Sequence, residues 1–464
     1  MLRLYKTMTR SVDEFVPIQP PQVGLYTCGP TVYHYAHIGN LRTYVFEDIL
    51  KRTLAFCGFK VRHVMNVTDV GHLISDADEG EDKMELGAKR EGRSAWELAD
   101  FYWQAFRSNL ADLNILEPDL WCKATDHIQE QIEQIQALER KGFTYAIADG
   151  VYFDTSKLKD YGKLARLDRE DLKAGARIEM VEGKRNLTDF ALWKLSPKGQ
   201  KRQMEWDSPW GVGFPGWHIE CSAMAMKYLG DRFDIHCGGV DHIKVHHTNE
   251  IAQAEGVTGK PWVNWWMHGE FLVLESADKM SKSAENFITL DTVKERGIDP
   301  LAYRYFCLNA HYRKQLTFSW EALQGAASGF ARLKHAVIEL KDKAVGTGKA
   351  HQEHLATFTE AVQDDLNMPR ALAAMWGLLR DANASPADQY ATLLKMDGVL
   401  GFGFEAMQAQ AVSMDDEVHA LLDERERARK NRDFKAADRI RDALLAKGLV
   451  IEDTPQGPKV KQKA

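Results

Sequence analysis

The stretch VGLYTCGPTVYHYAHIGNLRTYVFEDILKRTLAFCGFKVRHVMNV, residues 23–67, decides the fold. Its first residues, 23–28, form an apolar run typical of a buried strand, and residues 38–58 repeat their apolar side chains at helical spacing. Residues 60–67 again have the pattern of a strand. A strand, a helix and a strand at this spacing predict a parallel crossover, which places the loop 29–40 at the sheet edge where α/β folds bind ligands.

The following sequence predicts that this parallel sheet is interrupted and then resumes. Residues 95–143 are largely helical, and residues 144–155 alternate around Asp149-Gly150, a strong signal for a two-residue hairpin turn. An antiparallel insertion is therefore expected here. Strand, helix and strand patterns then return at 233–237, 246–256 and 266–274.

The carboxyl-terminal third has a different character. Beyond about residue 300 helical periodicity dominates, no strand is predicted until 448–453, and 344–350 and the region near 410 are the expected linkers. We therefore expect a doubly wound, Rossmann-like parallel sheet split by an insertion and followed by a helical bundle and a small terminal module. The expected domains are 1–115 and 206–300 for the two halves of the nucleotide-binding fold, 116–205 for the connective insertion, 301–410 for the bundle and 411–464 for the terminal module.

The composition excludes several classes of protein. The chain has 464 residues, 44% hydrophobic and 27% charged, and it contains no apolar run of the roughly eighteen residues that a membrane span needs. Its amino-terminal residues carry charges where a signal peptide would be apolar, so we expect a cytoplasmic protein with no membrane partner. The six cysteines are scattered without Cys-x-x-Cys pairs, which argues against a disulfide framework.

The net charge of −7 hides a basic tail. From Arg425 to Ala464 the chain has 12 lysines and arginines against 6 aspartates and glutamates. A local basic face is the kind of surface that meets a phosphate backbone. A solvated helix of mixed charge gives the same pattern, so charge alone does not decide between the two interpretations.

The tetrapeptide HIGN, residues 37–40, lies where the predicted loop meets the start of the helix. Backbone N–H groups and the helix dipole favour an anion at such a position. His37 can donate to phosphate oxygens without a permanent charge, Gly39 allows a nucleotide to approach the backbone, and Asn40 supplies a second donor. A histidine and a glycine at a turn are more often structural, so this motif by itself decides little.

The pentapeptide KMSKS, residues 279–283, strengthens the nucleotide interpretation. Two ammonium groups, on Lys279 and Lys282, can close over a polyphosphate and stabilise the charge that develops on a leaving pyrophosphate. The alternative is a solvated, lysine-rich loop. That alternative does not explain why the pentapeptide occurs together with HIGN.

HIGN and KMSKS, in this order on either side of an insertion, resemble the signature of the class I aminoacyl-tRNA synthetases. Further segments look like the cysteinyl-tRNA synthetases in particular, from the first strand into the helical third: NVTDV, DFALWKLS, PGWHIECSAM, GGVDH and HHTNEIAQ. The resemblance implies a class I synthetase-type fold and a ligase that activates L-cysteine with ATP, releases pyrophosphate and transfers cysteine to the 3′-terminal ribose of tRNA(Cys). L-cysteine, ATP and tRNA(Cys) are then the expected partners of a monomer.

The resemblance also implies how cysteine is selected. The family binds one Zn²⁺ at the positions that match Cys28, Cys221, His246 and Glu250, and the last two, four residues apart, share one face of a helix. Coordination by thiolates distinguishes cysteine from serine far better than a pocket that senses size. His247 is the open alternative to His246, because only the register of the family selects between them. Mg²⁺ is expected with ATP.

Other site residues follow from the same resemblance. Residues at the bound cysteine are expected to be Gly29, Thr68, Trp217 and Asp241. Residues at ATP are expected to be His37, Gly39, Asn40, Lys279, Met280, Ser281, Lys282 and Ser283, of which His37, Asn40, Lys279 and Lys282 carry catalysis.

The chain departs from the family pattern in several places. Asn40 stands where the tetrapeptide commonly ends in histidine, Cys237 replaces a usual glycine, an acidic run occupies 75–82, and the terminal segment lacks a tryptophan often found there. Two alternatives stay open: a related cysteine ligase with a non-tRNA amine acceptor, and a catalytically silent zinc protein that binds RNA. The first is expected to lack the carboxyl-terminal module, and the second does not require both signature motifs.

Overall fold

The computed structural model describes residues 1–71, 82–166, 182–197, 199, 201–275, 287–408, 416–446, 449–454 and 457–462. The KMSKS residues Lys279, Met280, Ser281, Lys282 and Ser283, and most of the acidic run, lie outside these ranges.

The elements of the first half are β1 Arg3–Lys6, β2 Ser11–Glu14, β3 Gln22–Thr27, α1 Ile38–Phe56, β4 Lys60–Val67, α2 Lys83–Glu91, α3 Ala95–Asp112, β5 Leu120–Lys123, α4 Ile128–Arg140, β6 Thr144–Ile147, β7 Gly150–Phe153, β8 Phe190–Leu195 and β9 Gly213–Pro215. The elements of the second half are α5 Trp217–Leu229, β10 Phe233–Gly239, α6 His246–Thr258, β11 Val263–Gly269, β12 Leu272–Leu274, α7 Leu290–Glu295, α8 Pro300–Leu308, β13 Leu316–Phe318, α9 Trp320–Lys343, α10 Gln352–Gln363, α11 Met368–Leu379, α12 Pro386–Leu400, α13 Asp416–Lys430, α14 Phe434–Ala446, β14 Leu449–Thr454 and β15 Gly457–Gln462.

A five-stranded parallel sheet with the strand order β11-β10-β3-β4-β5 forms the centre of the fold. The chain winds outward from β3 through β4 to β5 and then returns to place β10 against the other side of β3. Leu25 on β3 therefore pairs with Ile235 on one side and with His63 on the other. The strand order reverses between β3 and β10, and this switch point is where open α/β sheets bind ligands. The predicted doubly wound fold is confirmed.

Helix α1 connects β3 to β4 and packs its apolar face into the main core. Leu41, Ile49 and Leu54 are each at most 2% exposed. The helix ends at Phe56, and Gly58 follows with a φ of +88°, a left-handed conformation that glycine adopts without strain. The sequence pattern had predicted this helix and its end at the glycine.

The insertion carries a four-stranded antiparallel sheet, β6-β7-β8-β9. The hairpin predicted at Asp149-Gly150 exists, but its turn was placed one residue too late: Ile147 pairs with Gly150, so the turn residues are 148 and 149. Gly150 is needed within the strand, because a Cβ there would lie 2.3 Å from the carbonyl oxygen of Trp193 on the neighbouring strand. Glycine thus serves close packing of two strands and not a turn.

Two strand predictions were wrong for the same physical reason. The predicted strand 266–274 is broken into β11 and β12, and β12 pairs in parallel with β13, in a region where no strand was expected. Likewise β5 lies inside the segment that was predicted to be largely helical. Strands of three or four residues are too short to show a period, and their pairing partners lie far away in the chain.

Helices α9 to α12 form the bundle, and α13 and α14 with the β14–β15 hairpin form the terminal part. Arg304 on α8 joins the bundle to the sheet layer, since its guanidinium donates to the carbonyl of Leu400 at the end of α12 and to Asp48 on α1. Across the described ranges, no helix combines the length and the apolar character needed to cross a membrane.

Candidate active site and metal-binding cluster

A cavity of about 230 Å³ opens at the carboxyl ends of β3 and β10. The strand β3 delivers Cys28 and Gly29 to it directly, and β10 delivers Asp241 through the short 3₁₀ turn Val240–Ile243. Trp217, the first residue of α5, lines the same cavity. The strand reversal therefore creates a single concave site in which residues from distant parts of the chain meet.

Four potential metal ligands converge beside this cavity: Cys28, Cys221, His246 and Glu250. Their ligand atoms all lie within 4.8 Å of one another, and all four residues are buried. Glu250 Oε1 is 2.8 Å from His246 Nε2 and 3.9 Å from Cys28 Sγ. Two sulfur atoms, an imidazole and a carboxylate form a set that can bind a transition-metal ion. The four residues named from the sequence are thus found together.

The pKa values of the groups in this cluster are shifted because the groups share protons with one another. Burial raises the pKa of Glu250, but the charges and hydrogen bonds of His236 and His246 outweigh burial and lower that pKa below its usual range. Burial would lower the pKa of His246, yet the Glu250 charge and the bond to Cys221 raise it to about 10. A hydrogen bond from Cys28 is the main cause that lowers the pKa of Cys221, against the effect of burial. A cation bound by these groups replaces the protons that they share.

A layer of further histidines supports the cluster from behind. His236 Nε2 lies 2.7 Å from the second carboxylate oxygen of Glu250 and fixes its orientation. His247 Nε2 lies 3.3 Å from Cys28 Sγ, and its Nδ1 lies 2.8 Å from His268 Nε2. Sequence reasoning missed this layer, although the run of histidines between 236 and 247 was a signal for it.

The structure allows His246 and His247 to be compared as metal ligands. Cys28, His236, His247 and Glu250 also form a compact set, so both histidines are within reach of a metal. His246 lines the cavity, whereas the imidazole of His247 is fully buried between Cys28 and His268. A metal held by His246 would therefore be accessible to a ligand in the cavity, and one held by His247 would not.

The four residues expected at the amino acid, Gly29, Thr68, Trp217 and Asp241, all line the cavity. Gly29 must be glycine here, because a Cβ would lie 1.7 Å from the carbonyl oxygen of Asn66. The Asn66 side chain accepts from the Gly29 N–H at 2.8 Å and donates to the Thr68 hydroxyl at 3.1 Å. Asn66 thus connects two of the expected residues, and sequence reasoning did not find it.

The HIGN residues form the amino-terminal cap of α1. His37 Nδ1 accepts from the Asn40 N–H at 3.1 Å, and the Asn40 side-chain oxygen accepts from the His37 N–H at 3.3 Å, which completes a capping box. His37, Gly39 and Asn40 line a second cavity of about 80 Å³. Asn40 and Asp241 line both cavities, so the two spaces adjoin.

The segment that follows KMSKS lies against this cap. The Ile38 N–H donates to the carbonyl of Ile288 at 2.9 Å, and the ring of Phe287 lies 5.7 Å from that of His37. On the other flank, Arg42 of α1 donates to the carbonyls of Glu270 and Phe271, immediately before β12. The residues that follow the KMSKS segment therefore bond to α1 directly, and the residues just before β12, which leads into that segment, bond to Arg42 of α1.

One departure from the family pattern, Cys237, and one further histidine, His242, lie close to the site. Cys237 on β10 is fully buried in the main core, and burial raises the pKa of its thiol. His242 lines the large cavity, and burial lowers its pKa to about 4. Gly238 makes room for this ring, since a Cβ at Gly238 would lie 2.5 Å from His242 Nδ1.

Comparison with known proteins shows which protein family the chain resembles. Residues 14–328 match the family described as "tRNA synthetases class I (C) catalytic domain", residues 357–405 match the DALR domain, and residues 412–460 match the "Cysteinyl-tRNA ligase anticodon binding domain". Among curated proteins, the chain is 56% identical to cysteine–tRNA ligase 1 of Burkholderia lata, over 99% of this chain and 96% of that protein. It is 47% identical to cysteine–tRNA ligase of Treponema denticola, over 97% and 98% of the two chains.

Solved structures agree on the fold. Methionyl-tRNA synthetase of Mycobacterium tuberculosis in complex with methionyl-adenylate has a TM-score of 0.54 at 17% identity, covering 90% of this chain and 96% of that one. A LeuRS–tRNA–LeuAMS complex of Agrobacterium radiobacter K84 has a TM-score of 0.62 at 11% identity, covering 84% and 86%. From the matched domains and the full-length relatives together, the chain belongs to the cysteine–tRNA ligase family of class I aminoacyl-tRNA synthetases.

Proposed function

We propose that this protein activates L-cysteine with ATP to form cysteinyl-adenylate and pyrophosphate, and then transfers cysteine to the 3′-terminal ribose of tRNA(Cys). The observation that carries the proposal is the buried group of two thiols, an imidazole and a carboxylate beside a cavity at the switch point of the sheet. The membership of this chain in the cysteine–tRNA ligase family supplies the class of reaction. The metal ligands select which amino acid enters that reaction.

The donor set supports Zn²⁺ as the metal, one ion per chain. Two sulfurs with one imidazole and one carboxylate oxygen suit zinc, and the hydrogen bond from His236 to Glu250 holds the carboxylate in place. When bound, zinc supplies a Lewis acid that prefers a thiolate to the hydroxyl of serine. Cys221 and His246 line the cavity, so the side chain of the substrate would meet this side of the cluster. Discrimination by coordination chemistry removes the need for a separate editing site.

The remaining residues of the large cavity orient the amino acid. Gly29 lets the substrate approach the backbone after β3, and Asn66 holds both this glycine and Thr68 in position. The indole of Trp217 packs 4.8 Å from the ring of His246 and closes one side of the cavity. Asp241 lines both cavities, a position from which its carboxylate can bind the amino group of cysteine or the ribose of ATP.

The ATP side is built on the cap of α1. Since His37 Nδ1 accepts the Asn40 N–H, the neutral ring carries its proton on Nε2, where it can donate to a phosphate oxygen. The Asn40 side-chain oxygen is engaged with the His37 N–H, so we assign Asn40 the positioning of His37 in addition to contact with ATP. Gly39 allows the nucleotide to approach the start of the helix, whose dipole favours an anion.

The first chemical step is then the attack of the cysteine carboxylate on the α-phosphorus of Mg²⁺-bound ATP, with pyrophosphate leaving. We propose that Lys279 and Lys282 stabilise the charge on the leaving pyrophosphate, with Met280, Ser281 and Ser283 completing the loop at ATP. Positioning and charge stabilisation carry this step, and no enzyme nucleophile is required. The bonds of α1 to the residues that follow this segment and to the residues just before β12 support a role for the segment beside His37.

The carboxyl-terminal part supports tRNA as the acceptor. Residues 301–410 are proposed to contact the tRNA stem, and 411–464 the anticodon, in keeping with the anticodon-binding family matched at 412–460. The same match disfavours a ligase with a small amine acceptor. Both cavities and the cluster are formed by one chain, so we propose that a monomer suffices, and that it works in the cytoplasm, where tRNA is charged.

Pyrophosphate exchange tests the proposal directly. The full chain, supplied with ATP and radiolabelled pyrophosphate, is expected to exchange label with cysteine and not with serine or methionine, and then to charge tRNA(Cys). Exchange driven by methionine, or the absence of exchange with any of the three, would refute the assignment. Exchange with cysteine without charging of tRNA would favour the ligase with another acceptor.

Two variants separate metal binding from general damage. Cys221→Ser is expected to lose zinc and to raise the KM for cysteine far more than the KM for ATP. Cys57→Ser is the matched control, because Cys57 is a half-buried thiol that contacts Gln363 and lies outside the cluster. It should keep both its zinc and its activity. An unchanged zinc content in Cys221→Ser would overturn the ligand set.

A further inference from the structure

A second cluster of metal-binding side chains lies in the helical bundle and shares no residue with the active site. It consists of His351, His354 and Asp381. His351 is the amino-terminal cap residue of α10, His354 lies in the first turn of that helix, and Asp381 follows the end of α11. Ligand atoms of the three residues lie within 4.8 Å of one another.

The backbone brings these residues together without help from a metal. His351 and His354 are three residues apart at the start of a helix and therefore lie on one face. The His351 N–H donates to the Thr392 hydroxyl at 2.7 Å, which fixes the start of α10 against α12. The turn that carries Asp381 is held by the Gln389 amide, which donates to the Asp381 carbonyl at 2.8 Å. The two sides of the cluster are thus attached to the same helix, α12.

The distances suit a metal with only small movements of side chains. His354 Nε2 lies 2.9 Å from Asp381 Oδ2, and the rings of His351 and His354 are 4.8 Å apart. Two ligands of a tetrahedral zinc site are about 3.3 Å apart, given metal–ligand bonds of about 2.0–2.1 Å. The separation of His354 Nε2 from Asp381 Oδ2 is shorter than this value, and the other ligand-atom separations in the cluster are at most 4.8 Å. Rotation of imidazoles about their side-chain bonds can bring all three ligand atoms to one ion.

The imidazole of His351 gives the strongest support for a bound ligand at this cluster. Its Nδ1 atom is buried and has no hydrogen-bond partner among the residues that the structure describes. A buried nitrogen without a partner is costly, so such an atom requires an explanation. The side chains of His354 and Asp381 are 22% and 20% exposed, which leaves a route for an ion and a water ligand from solvent.

We propose that His351, His354 and Asp381 bind one divalent transition-metal ion of the zinc class, with water in the remaining position. Two imidazoles and one carboxylate are ligands that such ions prefer, whereas Mg²⁺ and Ca²⁺ prefer oxygen. The ion joins the start of α10 to the turn between α11 and α12. Asp381 lies within residues 357–405, which match the DALR domain, and His351 and His354 lie just before that match. The role of the ion is to hold three helices of the bundle together.

Counting metal ions in the full chain tests this proposal. Protein stripped with a chelator, reloaded with excess Zn²⁺ and freed of unbound metal should contain two zinc ions per chain. His351→Ala and His354→Ala should each contain one, Cys221→Ser one, and the double variant Cys221→Ser/His354→Ala none. His335→Ala is the matched control, because His335 forms an exposed pair with Glu339 and belongs to no metal-binding group among the residues that the structure describes. This variant should keep two zinc ions.

Each alternative outcome is decisive. If His351→Ala and His354→Ala keep the zinc content of the unaltered chain, or if His335→Ala loses as much as they do, the proposal is overturned. If the unaltered chain holds one ion and Cys221→Ser holds none, it is also overturned. Circular dichroism checks that the variants fold, and His351→Ala is the safer one, since its Nδ1 bonds no described residue.

Co²⁺ as a spectroscopic probe separates the two sites. In Cys221→Ser, cobalt bound by two imidazoles and a carboxylate should absorb in the visible region without a strong sulfur-to-metal band, and His351→Ala in that background should weaken cobalt binding at least about tenfold. An unchanged cobalt affinity would overturn the proposal. Pyrophosphate exchange with cysteine should be unaffected by His354→Ala, because this site lies outside the active site.

Discussion

Replacing Asp48 should destabilise the whole catalytic unit, because this one carboxylate joins three parts of the chain. Asp48 lies on α1 and is fully buried. Its Oδ2 accepts from Arg304 at 2.6 Å and from Arg52 at 2.8 Å, and its Oδ1 accepts from the Leu116 N–H at 2.9 Å. Arg304 is also fully buried, so it has no access to water if this partner is lost.

The magnitude follows from the group that is left behind. In Asp48→Ala, the Arg304 guanidinium keeps its bonds to the carbonyls of Leu113 and Leu400 but loses its counter-charge. Leaving a buried charge without its partner typically costs about 3–5 kcal/mol. We expect a loss of that size in the free energy of unfolding. Asp48→Asn, which keeps the shape and removes the charge, should show most of it.

Equilibrium unfolding in urea, followed by circular dichroism, measures this loss. The control is Asp364→Asn, which breaks an exposed pair with Arg370 at 3.0 Å and should cost less than about 1 kcal/mol. The dependence on urea should keep its slope, so that a shift in midpoint reports stability. If Asp48→Asn is no more costly than the control, the buried charge pair does not carry the stabilisation that we assign to it.

Other perturbations address the site and the dependence on pH. Gly29→Ala should abolish cysteine-dependent pyrophosphate exchange, because the added Cβ would lie 1.7 Å from the Asn66 carbonyl oxygen; retained exchange would show that the loop after β3 can shift. Burial lowers the pKa of His63 to about 3, while an unfolded histidine titrates near 6.5. Stability from this group is therefore complete above about pH 6.5 and is lost toward pH 3, so His63→Gln should reduce the difference between urea midpoints at pH 7 and pH 4.5. Arg42→Ala, which removes a donor to the Glu270 carbonyl, should slow exchange about 10–100-fold while zinc content stays constant.

The part of the fold that local patterns determine was predictable. The strand, helix and strand of residues 23–67 have boundaries within two residues of those expected, because a long amphipathic helix and two apolar strands carry a strong period. The position of Gly150 shows where such reasoning fails. The glycine suggested a turn, but the reason for it is the backbone of Trp193, which local sequence does not show.

The residues of the candidate site also separate into those that the sequence predicted and those that only the structure shows. Cys28, Cys221, His246 and Glu250 were found because the family pattern marks them, and the strand order brings them into one place. The layer of His236 and its neighbours was not found, since each contact joins residues from different elements. The role of Asn40 is a third case: its residue type allowed contact with phosphate, and only the geometry reveals the bond to the His37 N–H.

Helix α1 explains why these separate features belong to one enzyme. Its first residue follows the cap that presents His37, and one turn later Arg42 binds the turn between β11 and β12, just before the strand that leads into the KMSKS segment. Further along, Asp48 binds Arg304, which in turn binds the end of α12 in the bundle. The proposed ATP site, the start of the proposed pyrophosphate loop and the proposed tRNA-binding bundle are thus fixed to a single rigid element of 19 residues. A change that loosens this helix should therefore impair activation and charging together, whereas loss of the proposed zinc ligand Cys221 should impair the choice of amino acid first.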